Sequence, residues 1–371
     1  MQAQGGSLVL LAAGGTGGHL FPAEALAEAL GRRGIEVDLA TDARAERYGT
    51  KFPAREIHLI SSETLRNRDP LSLARTVALL GAGAWQAWRL LGRIRPAAVV
   101  GFGGYPTVPP VLAATLRKVP SLIHEQNAVM GRANRFLAAR VDAIATSFAG
   151  VLDREPHLHG KATLTANPVR PSVIAAAATP YVAPALEERL RLLVFGGSQG
   201  ARIMADIVPE AVARLEPHLQ MRLSVVQQAR ADDVARVRAT YAKAKVAAEV
   251  APFFGDLPAR IASAHLLIAR SGASTVAEVA AIGRPAILVP LPHALDQDQS
   301  ANAAVLAQAG GAMALRQDDF TPARLAAEIS ALASAPQKLV AMAAAARSQG
   351  AIDAAERLAD LVMRTMQRGR Q

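Results

Sequence analysis

The chain has 371 residues, a formal net charge of +10 and no cysteine, and its length exceeds one ordinary core, so two domains are expected. With 51% hydrophobic and 19% charged residues the bulk is globular, and the missing cysteine excludes a disulfide framework, cysteine-held zinc and thiol catalysis. The positive charge points to an acidic partner (nucleic acid, anionic lipid or a phosphorylated ligand), but 4% aromatic residues without basic–aromatic interleaving argue against single-stranded nucleic acid.

The first element is an apolar run, Leu8 to Ala13, with no Lys or Arg before it, unlike a signal peptide. It leads into Gly14-Gly15-Thr16-Gly17-Gly18-His19 and then a helical pattern from Pro22 to Arg32. A strand, a glycine turn and a helix N-terminus can cradle phosphate; the same order also makes a plain turn in any α/β protein. Neither the dinucleotide fingerprint nor a P-loop is present: Leu20 stands where the last fingerprint glycine would fall, and no Gly-Lys-Ser/Thr occurs. His19 is either a neutral general base beside that helix start or a histidine that hydrogen-bonds the loop.

Further apolar runs at 37–40, 57–60, 97–100, 121–124 and 143–145 alternate with helical patterns, the scheme of a parallel, doubly wound sheet. No run of 18 apolar residues occurs, so no transmembrane helix is expected. Between Asp69 and Glu125 there is no acid, and Arg75, Arg89, Arg93, Arg95, Arg117 and Lys118 give that interval +6. Within it Leu73, Val77, Leu80, Trp85, Trp88 and Leu91 have helical spacing. That suits a helix on an anionic membrane surface, or a core-facing helix with solvated arginines. The run 121–124 ends in His124-Glu125-Gln126-Asn127. There Glu125 would orient or deprotonate a substrate, or Asn127 would cap a helix.

After Asn167-Pro168-Val169-Arg170, residues 171–190 are rich in Ala and Pro and read as a connection. The opening scheme then repeats: an apolar run over 191–195, Gly196-Gly197-Ser198-Gln199-Gly200, and a helical stretch from Ala201. Runs at 223–226, 246–250, 265–269 and 286–289 continue the alternation, and the tail from about Pro336 is helical. Arg270 to Thr275 form another strand-to-helix turn, with Glu278 placed to bind a ribose diol or simply to supply a first-turn acid. Asp296-Gln297-Asp298-Gln299 has a carboxylate pair, but it opens a helical pattern where acids are expected, so no metal site is assigned.

The motifs GGTGGH, GFGGYPT, HEQN with Gly131 and Asn134, NPVR, GGSQGAR, RSGAST-VAE and PLPH…DQDQ-SANA occur in this order along nearly the whole chain. The set resembles the MurG family of peptidoglycan glycosyltransferases. That resemblance implies the GT-B fold, two Rossmann-like α/β domains with parallel sheets facing a cleft. The expected domains are 1–168, with a last helix at about 350–371 returning to it, and 169–349. It implies metal-free, inverting transfer of N-acetylglucosamine from UDP-N-acetylglucosamine to the C4 hydroxyl of a lipid-linked muramoyl-pentapeptide (lipid I). The protein would be peripheral on the cytoplasmic face of the bacterial inner membrane, beside other cell-wall synthesis and division proteins, with no nucleic acid and no cofactor.

By the same resemblance, Thr16, Gly17 and Gly18 are first-loop contacts, and Asn127 and Arg170 are polar contacts near the cleft. Ser198 meets the diphosphate or nucleoside, and Phe254 lies at the uracil pocket. Ala273, Ser274, Thr275, Val276, Ala277 and Glu278 hold the nucleotide, with Glu278 on the ribose, and Gln299 reads the sugar hydroxyls. His19 is the expected base and Glu125 its rival. The acceptor diphosphate would sit near the first loop and the UDP near the second. Two positions depart from the family: Asp298 stands where histidine is usual, and Ala166 where glycine often precedes NPVR. A UDP-N-acetylglucosamine epimerase and a non-catalytic nucleotide-sugar binding protein are the alternatives.

Overall fold

The structure is a computed structural model that describes residues 7–14, 16–42, 52–61, 70–197, 200–292 and 298–368; of residues 70–78 and 80 it describes the backbone alone. The chain divides into two units, residues 1–170 with 352–371, and residues 171–351.

The first unit runs β1 (Leu8–Ala12), α1 (Gly17–Arg32), β2 (Glu36–Thr41), β3 (Ile57–Leu59), α2 (Pro70–Ile94), β4 (Ala98–Gly101), α3 (Val108–Leu116), β5 (Ser121–Glu125), α4 (Arg132–Ala138), β6 (Ala143–Thr146) and β7 (Ala162–Leu164). Its parallel sheet has the order β3-β2-β1-β4-β5-β6-β7. Unbroken apolar runs make these strands because both sheet faces are covered. Val9 and Leu11 enter the core under α1, while Leu10 and Ala12 enter the opposite core with Ala87 and Leu91 of α2. The strand order reverses between β1 and β4, and such reversals place ligand crevices at the strands' carboxyl ends. The segments after β1, β4 and β5 carry the conspicuous motifs.

The second unit runs α5 (Pro171–Ala177), β8 (Leu190–Phe195), α6 (Arg202–Val212), α7 (Pro217–Arg222), β9 (Leu223–Gln228), α8 (Ala231–Lys243), β10 (Ala247–Ala251), α9 (Leu257–Ser263), β11 (Leu266–Ala269), α10 (Ala273–Ile282), β12 (Ala286–Leu288), α11 (Asp298–Gln308), β13 (Ala312–Ala314), α12 (Pro322–Ala333) and α13 (Pro336–Ser348). Its sheet is also parallel, ordered β10-β9-β8-β11-β12-β13, and reverses between β8 and β11.

The last helix, α14 (Ala354–Arg368), belongs to the first unit. It buries Leu358 and Val362 completely against the α1 face. Each such side chain contributes about 1.5–3 kcal/mol. Its ion pairs from Arg32 and Arg33 to Glu356 and from Arg33 to Asp360 involve half-exposed carboxylates, and such pairs contribute about 0–1 kcal/mol each. Apolar burial therefore docks this helix and the arginines set its orientation.

Several expectations need correction. Helix α1 begins at Gly17 rather than Pro22, so Gly17, Gly18 and His19 form its first turn and Pro22 lies inside it. Residues 171–177 are helical because alanine favours helix and Pro171 occupies the first helical position. The short strands β7 and β13 carry too few residues to show a period. Trp85 and Trp88 point outward whereas Leu91 is buried. Each three-residue step drifts by about 60° on a 3.6-residue helix, so the two steps from 85 to 91 reach a second face. The side chains of Leu73, Val77 and Leu80 lie outside the described residues. No single described helix is long and apolar enough to cross a membrane, although the bent pair α12 and α13 passes that test together while burying Leu325, Ile329, Leu339 and Met342 in the second core.

Candidate functional site

In the first unit, Gly14 permits the close approach of the segments after β1 and β4, since a Cβ there would lie 2.2 Å from Pro106 Cγ. Thr16 is the N-cap of α1 in an extended conformation, and its side chain makes no capping hydrogen bond. Its carbonyl accepts from His19 N and Leu20 N, leaving the Gly17 and Gly18 N–H groups at a helix start suited to an anion. After β4, Gly103 and Gly104 hold φ of 79° and 75°, a left-handed conformation natural to glycine. His19 lies against both: a Cβ at Gly103 would be 3.5 Å from Cε1 and one at Gly104 3.4 Å from Nε2.

His19 Nδ1 is 3.3 Å from Gln126 Oε1, Gln126 Nε2 is 3.0 Å from His124 Nδ1, and His124 Nε2 is 3.0 Å from the Ala166 carbonyl. His124 is fully buried, and burial pushes its pKa down to about 4, so it is neutral near pH 7. The segment containing NPVR returns to α1 through Arg170, whose guanidinium carbon stands 4.0 Å from the Phe21 ring centroid.

Glu125 is almost wholly buried. Its Oε1 accepts from Asn127 N at 3.0 Å and Asn127 Nδ2 at 3.2 Å, and its Oε2 from Gly131 N at 2.9 Å and Asn134 Nδ2 at 2.8 Å. Burial raises the carboxyl pKa, and the donors from Asn127, Gly131 and Asn134 oppose that rise. A proton on either oxygen would face N–H donors, so the ionised form suits this pocket. Glu125 thus clasps the turn from β5 into α4. Asn127 does not cap that helix; Gly131 occupies the N-cap.

In the second unit, Gly197 and Gly200 flank Ser198 with φ of 81° and 68°; Ser198 itself lies outside the described residues. Ala273 and Val276 bury their side chains; the Val276 N–H already bonds the Gly272 carbonyl, so contact with a ligand there would pass through the backbone N–H groups that precede it in the first turn of α10. Thr275 and Ala277 are half-buried and Glu278 is buried. Gly272 is the N-cap and α10 has no acid in its first turn, so Glu278 is not a first-turn helix acid. Ser274 Oγ is buried without a hydrogen-bond partner among the described residues, as are both amide ends of Asn167 in the first unit. Such orphaned groups cost about 1–3 kcal/mol each, which a polar ligand atom would offset. Phe254 is buried beneath Arg260, 4.3 Å from its ring centroid, whereas its neighbour Phe253 is exposed.

Gln299 Oε1 accepts from Leu291 N at 3.1 Å, and Ser271 Oγ donates to the Gln299 carbonyl at 2.8 Å. Arg270 donates to the Val289 and Pro290 carbonyls and to Gln317 Oε1. Together these fix the segment after β12. Asp298 opens α11 and accepts from Gln299 N; Asp296 and Gln297 lie outside the described residues. Among the described residues one carboxylate–imidazole cluster has ligand-like spacing, Asp38, Glu56 and His58. There Arg55 donates twice to Asp38, so a guanidinium already serves as the cation.

Sequence reasoning placed His19, Glu125, Asn127 and Arg170 among the site residues but did not single out Gln126, His124 or Asn134. The two imidazole partners of Gln126 lie 107 residues and two residues before it. The signal available was a polar run at a strand end, which marks a site without telling its members apart.

The glycosyltransferase family 28 N-terminal domain matches residues 9–146 and the family 28 C-terminal domain matches residues 191–358. A UDP-N-acetylglucosamine–N-acetylmuramyl-(pentapeptide) pyrophosphoryl-undecaprenol N-acetylglucosamine transferase from Rhodopseudomonas palustris strain BisA53 is 63% identical over 356 residues, covering 96% of this chain and 95% of the relative. The transferase of the same name from Bradyrhizobium sp. strain BTAi1 is 63% identical over 358 residues, covering 96% and 98%. The crystal structure of Acinetobacter baumannii MurG superposes with a TM-score of 0.78 at 31% identity, covering 96% of this chain and 99% of that one. The two parallel sheets are therefore the Rossmann-like domains of a GT-B glycosyltransferase, and the chain belongs to the MurG family of N-acetylglucosamine transferases within glycosyltransferase family 28.

Proposed function

We propose that this protein transfers N-acetylglucosamine from UDP-N-acetylglucosamine to the C4 hydroxyl of the lipid-linked muramoyl-pentapeptide. The observation that carries this reading is the 63% identity to transferases so named across 96% of the chain. The first unit takes the acceptor, with its diphosphate at the N–H groups of Gly17 and Gly18 beside Thr16. Asn127 and Arg170 supply polar contacts. The second unit takes the donor, with its diphosphate at Ser198 and the N–H groups that open α10, its ribose on Glu278, its uracil near the Phe254 backbone and its sugar near Gln299.

His19 is the general base. It removes the C4 hydroxyl proton, the oxygen attacks the anomeric carbon from the face opposite the leaving group, and UDP departs with the electron pair of the broken C–O bond. Helix-start N–H groups stabilise the charge that develops on the diphosphate. Glu125 acts through the turn it clasps. A positioned base contributes about 10²–10⁴-fold, so His19→Ala should lose that much kcat with labelled donor and a soluble lipid I analogue, while UDP affinity holds. Near-normal turnover in that variant would refute the assignment. UDP-sugar turnover without acceptor would instead favour the epimerase chemistry.

The membrane contact we infer is α2 with its neighbours. Trp85 and Leu116 are 60% and 64% exposed. Arg89 lies over Trp85 at 4.8 Å and Arg117 over Trp88 at 4.1 Å. Aromatic rings bordered by guanidinium groups, in a segment without acids, suit the headgroup layer of an anionic cytoplasmic leaflet.

A further inference from the structure

Gln126 joins two imidazoles, and the two ends of its amide are unlike: Oε1 only accepts hydrogen bonds and the NH2 group only donates. Two backbone carbonyls, whose roles are not in doubt, fix every proton along the chain. Gln126 Nε2 lies 3.0 Å from the carbonyl of His124, so the NH2 end must face His124; the flipped amide would set two oxygens against each other. His124 Nδ1, 3.0 Å from the same NH2, is then an acceptor. A neutral imidazole with Nδ1 accepting carries its proton on Nε2, and His124 Nε2 does meet an obligate acceptor, the Ala166 carbonyl, at 3.0 Å. The other amide end, Oε1, is left facing His19 Nδ1 at 3.3 Å, which therefore donates.

We propose that Gln126 and His124 are positioning residues that hold the His19 proton on Nδ1, making Nε2 the basic nitrogen of the neutral ring. This rests on the reading of His19 as base. The complete neutral burial of His124 supports it, because a doubly protonated His124 would turn an N–H against the Gln126 NH2 group. Ala166 contributes through its backbone: it holds a φ of 62° in the segment whose carbonyl receives the His124 proton. During transfer the C4 hydroxyl proton passes to His19 Nε2, and the resulting imidazolium keeps its Nδ1–H bond to Gln126 Oε1. No proton travels along the relay, since an amide bridging two rings in this way transmits orientation only. In water the unbound neutral imidazole favours the opposite tautomer, so the relay has a definite task.

The test is a long-range 1H–15N correlation spectrum of the full chain labelled with 15N-histidine at neutral pH, with the His19 signals identified by their loss in His19→Gln. The expected pattern is Nδ1–H with an unprotonated Nε2. Gln126→Leu should shift His19 towards the Nε2–H form. It should lower kcat at least about tenfold and at most about 10⁴-fold, the cost of a wrong tautomer in a serine protease triad. KM for UDP-N-acetylglucosamine should stay within about twofold, because the donor contacts lie in the second unit. If Gln126→Leu does not fold, Gln126→Met, of similar length and with no oxygen towards His19, should give the same shift to the Nε2–H form. An Nε2–H tautomer in the wild-type protein, an unchanged Nδ1–H pattern in folded Gln126→Leu or Gln126→Met, or wild-type kcat in folded Gln126→Leu overturns the proposal. The two readings separate cleanly: a correct tautomer with an active His19→Ala removes the base and leaves the relay standing.

Discussion

Replacing Glu125 with Gln separates a clasp from a base. The carboxylate accepts four hydrogen bonds, two from Asn127, one from Gly131 N and one from Asn134 Nδ2. An amide of the same shape offers one oxygen, so two donors keep a partner and two face an NH2 group at about the same distance. Hydrogen bonds to charged groups contribute about 1.5–3 kcal/mol each, which puts the loss at about 3–6 kcal/mol. Relief from burying a charge offsets part of it, and about 3 kcal/mol is the expected net loss. That is a large share of the 5–15 kcal/mol typical of a folded protein. The assay is urea unfolding followed by circular dichroism, with turnover and UDP affinity measured on the same preparation. The clasp predicts a clearly lower midpoint, with UDP affinity retained wherever the second unit stays folded. A wild-type urea midpoint combined with a hundredfold or greater fall in kcat would refute the clasp and make Glu125 the base, since that is the loss expected of a missing general base.

Ala166→Gly should stabilise the protein. A left-handed conformation costs an L-residue about 1–2 kcal/mol and the greater freedom of unfolded glycine returns about 0.5–1 kcal/mol. The thermal midpoint should rise slightly, and a fall would show that the φ of 62° carries no strain. Stability should also decline as pH falls from 6.5 to 4, through the histidines. Burial pushes His265 down to about 4, helped by the nearby Arg191, and burial does the same to His124. In that window the unfolded chain binds protons the folded one refuses, so the stability present above pH 6.5 is lost on acidification. His265→Asn should flatten the slope by up to about 1.4 kcal/mol per pH unit, and an unchanged slope in urea titrations would contradict it. Vesicle sedimentation should show binding that needs anionic lipid, weakens with salt and drops in Trp85→Ser; indifference to both salt and lipid charge would sink the membrane surface.

The sequence by itself determined what short-range physics controls. Apolar runs buried on both faces, alternating with helical periods, specify parallel α/β units, and the two glycine turns mark the ends of β1 and β8, where each strand order reverses. The ordered motifs of the transferase family were legible for the same reason, since each is a local run of residue types. Only the tertiary structure decided what depends on approach through space. It set Trp85 and Trp88 outward and Leu91 inward on one helix, because burial depends on the neighbour packed alongside as well as on spacing. It chose the contacts that hold the returning α14 on α1, Leu358 and Val362 in the core and Arg32 and Arg33 at its border. It also set four donors around the Glu125 carboxylate and linked His19 to His124 through Gln126. A hydrogen-bond network closes over residues more than a hundred positions apart, and no local pattern encodes which nitrogen meets which oxygen.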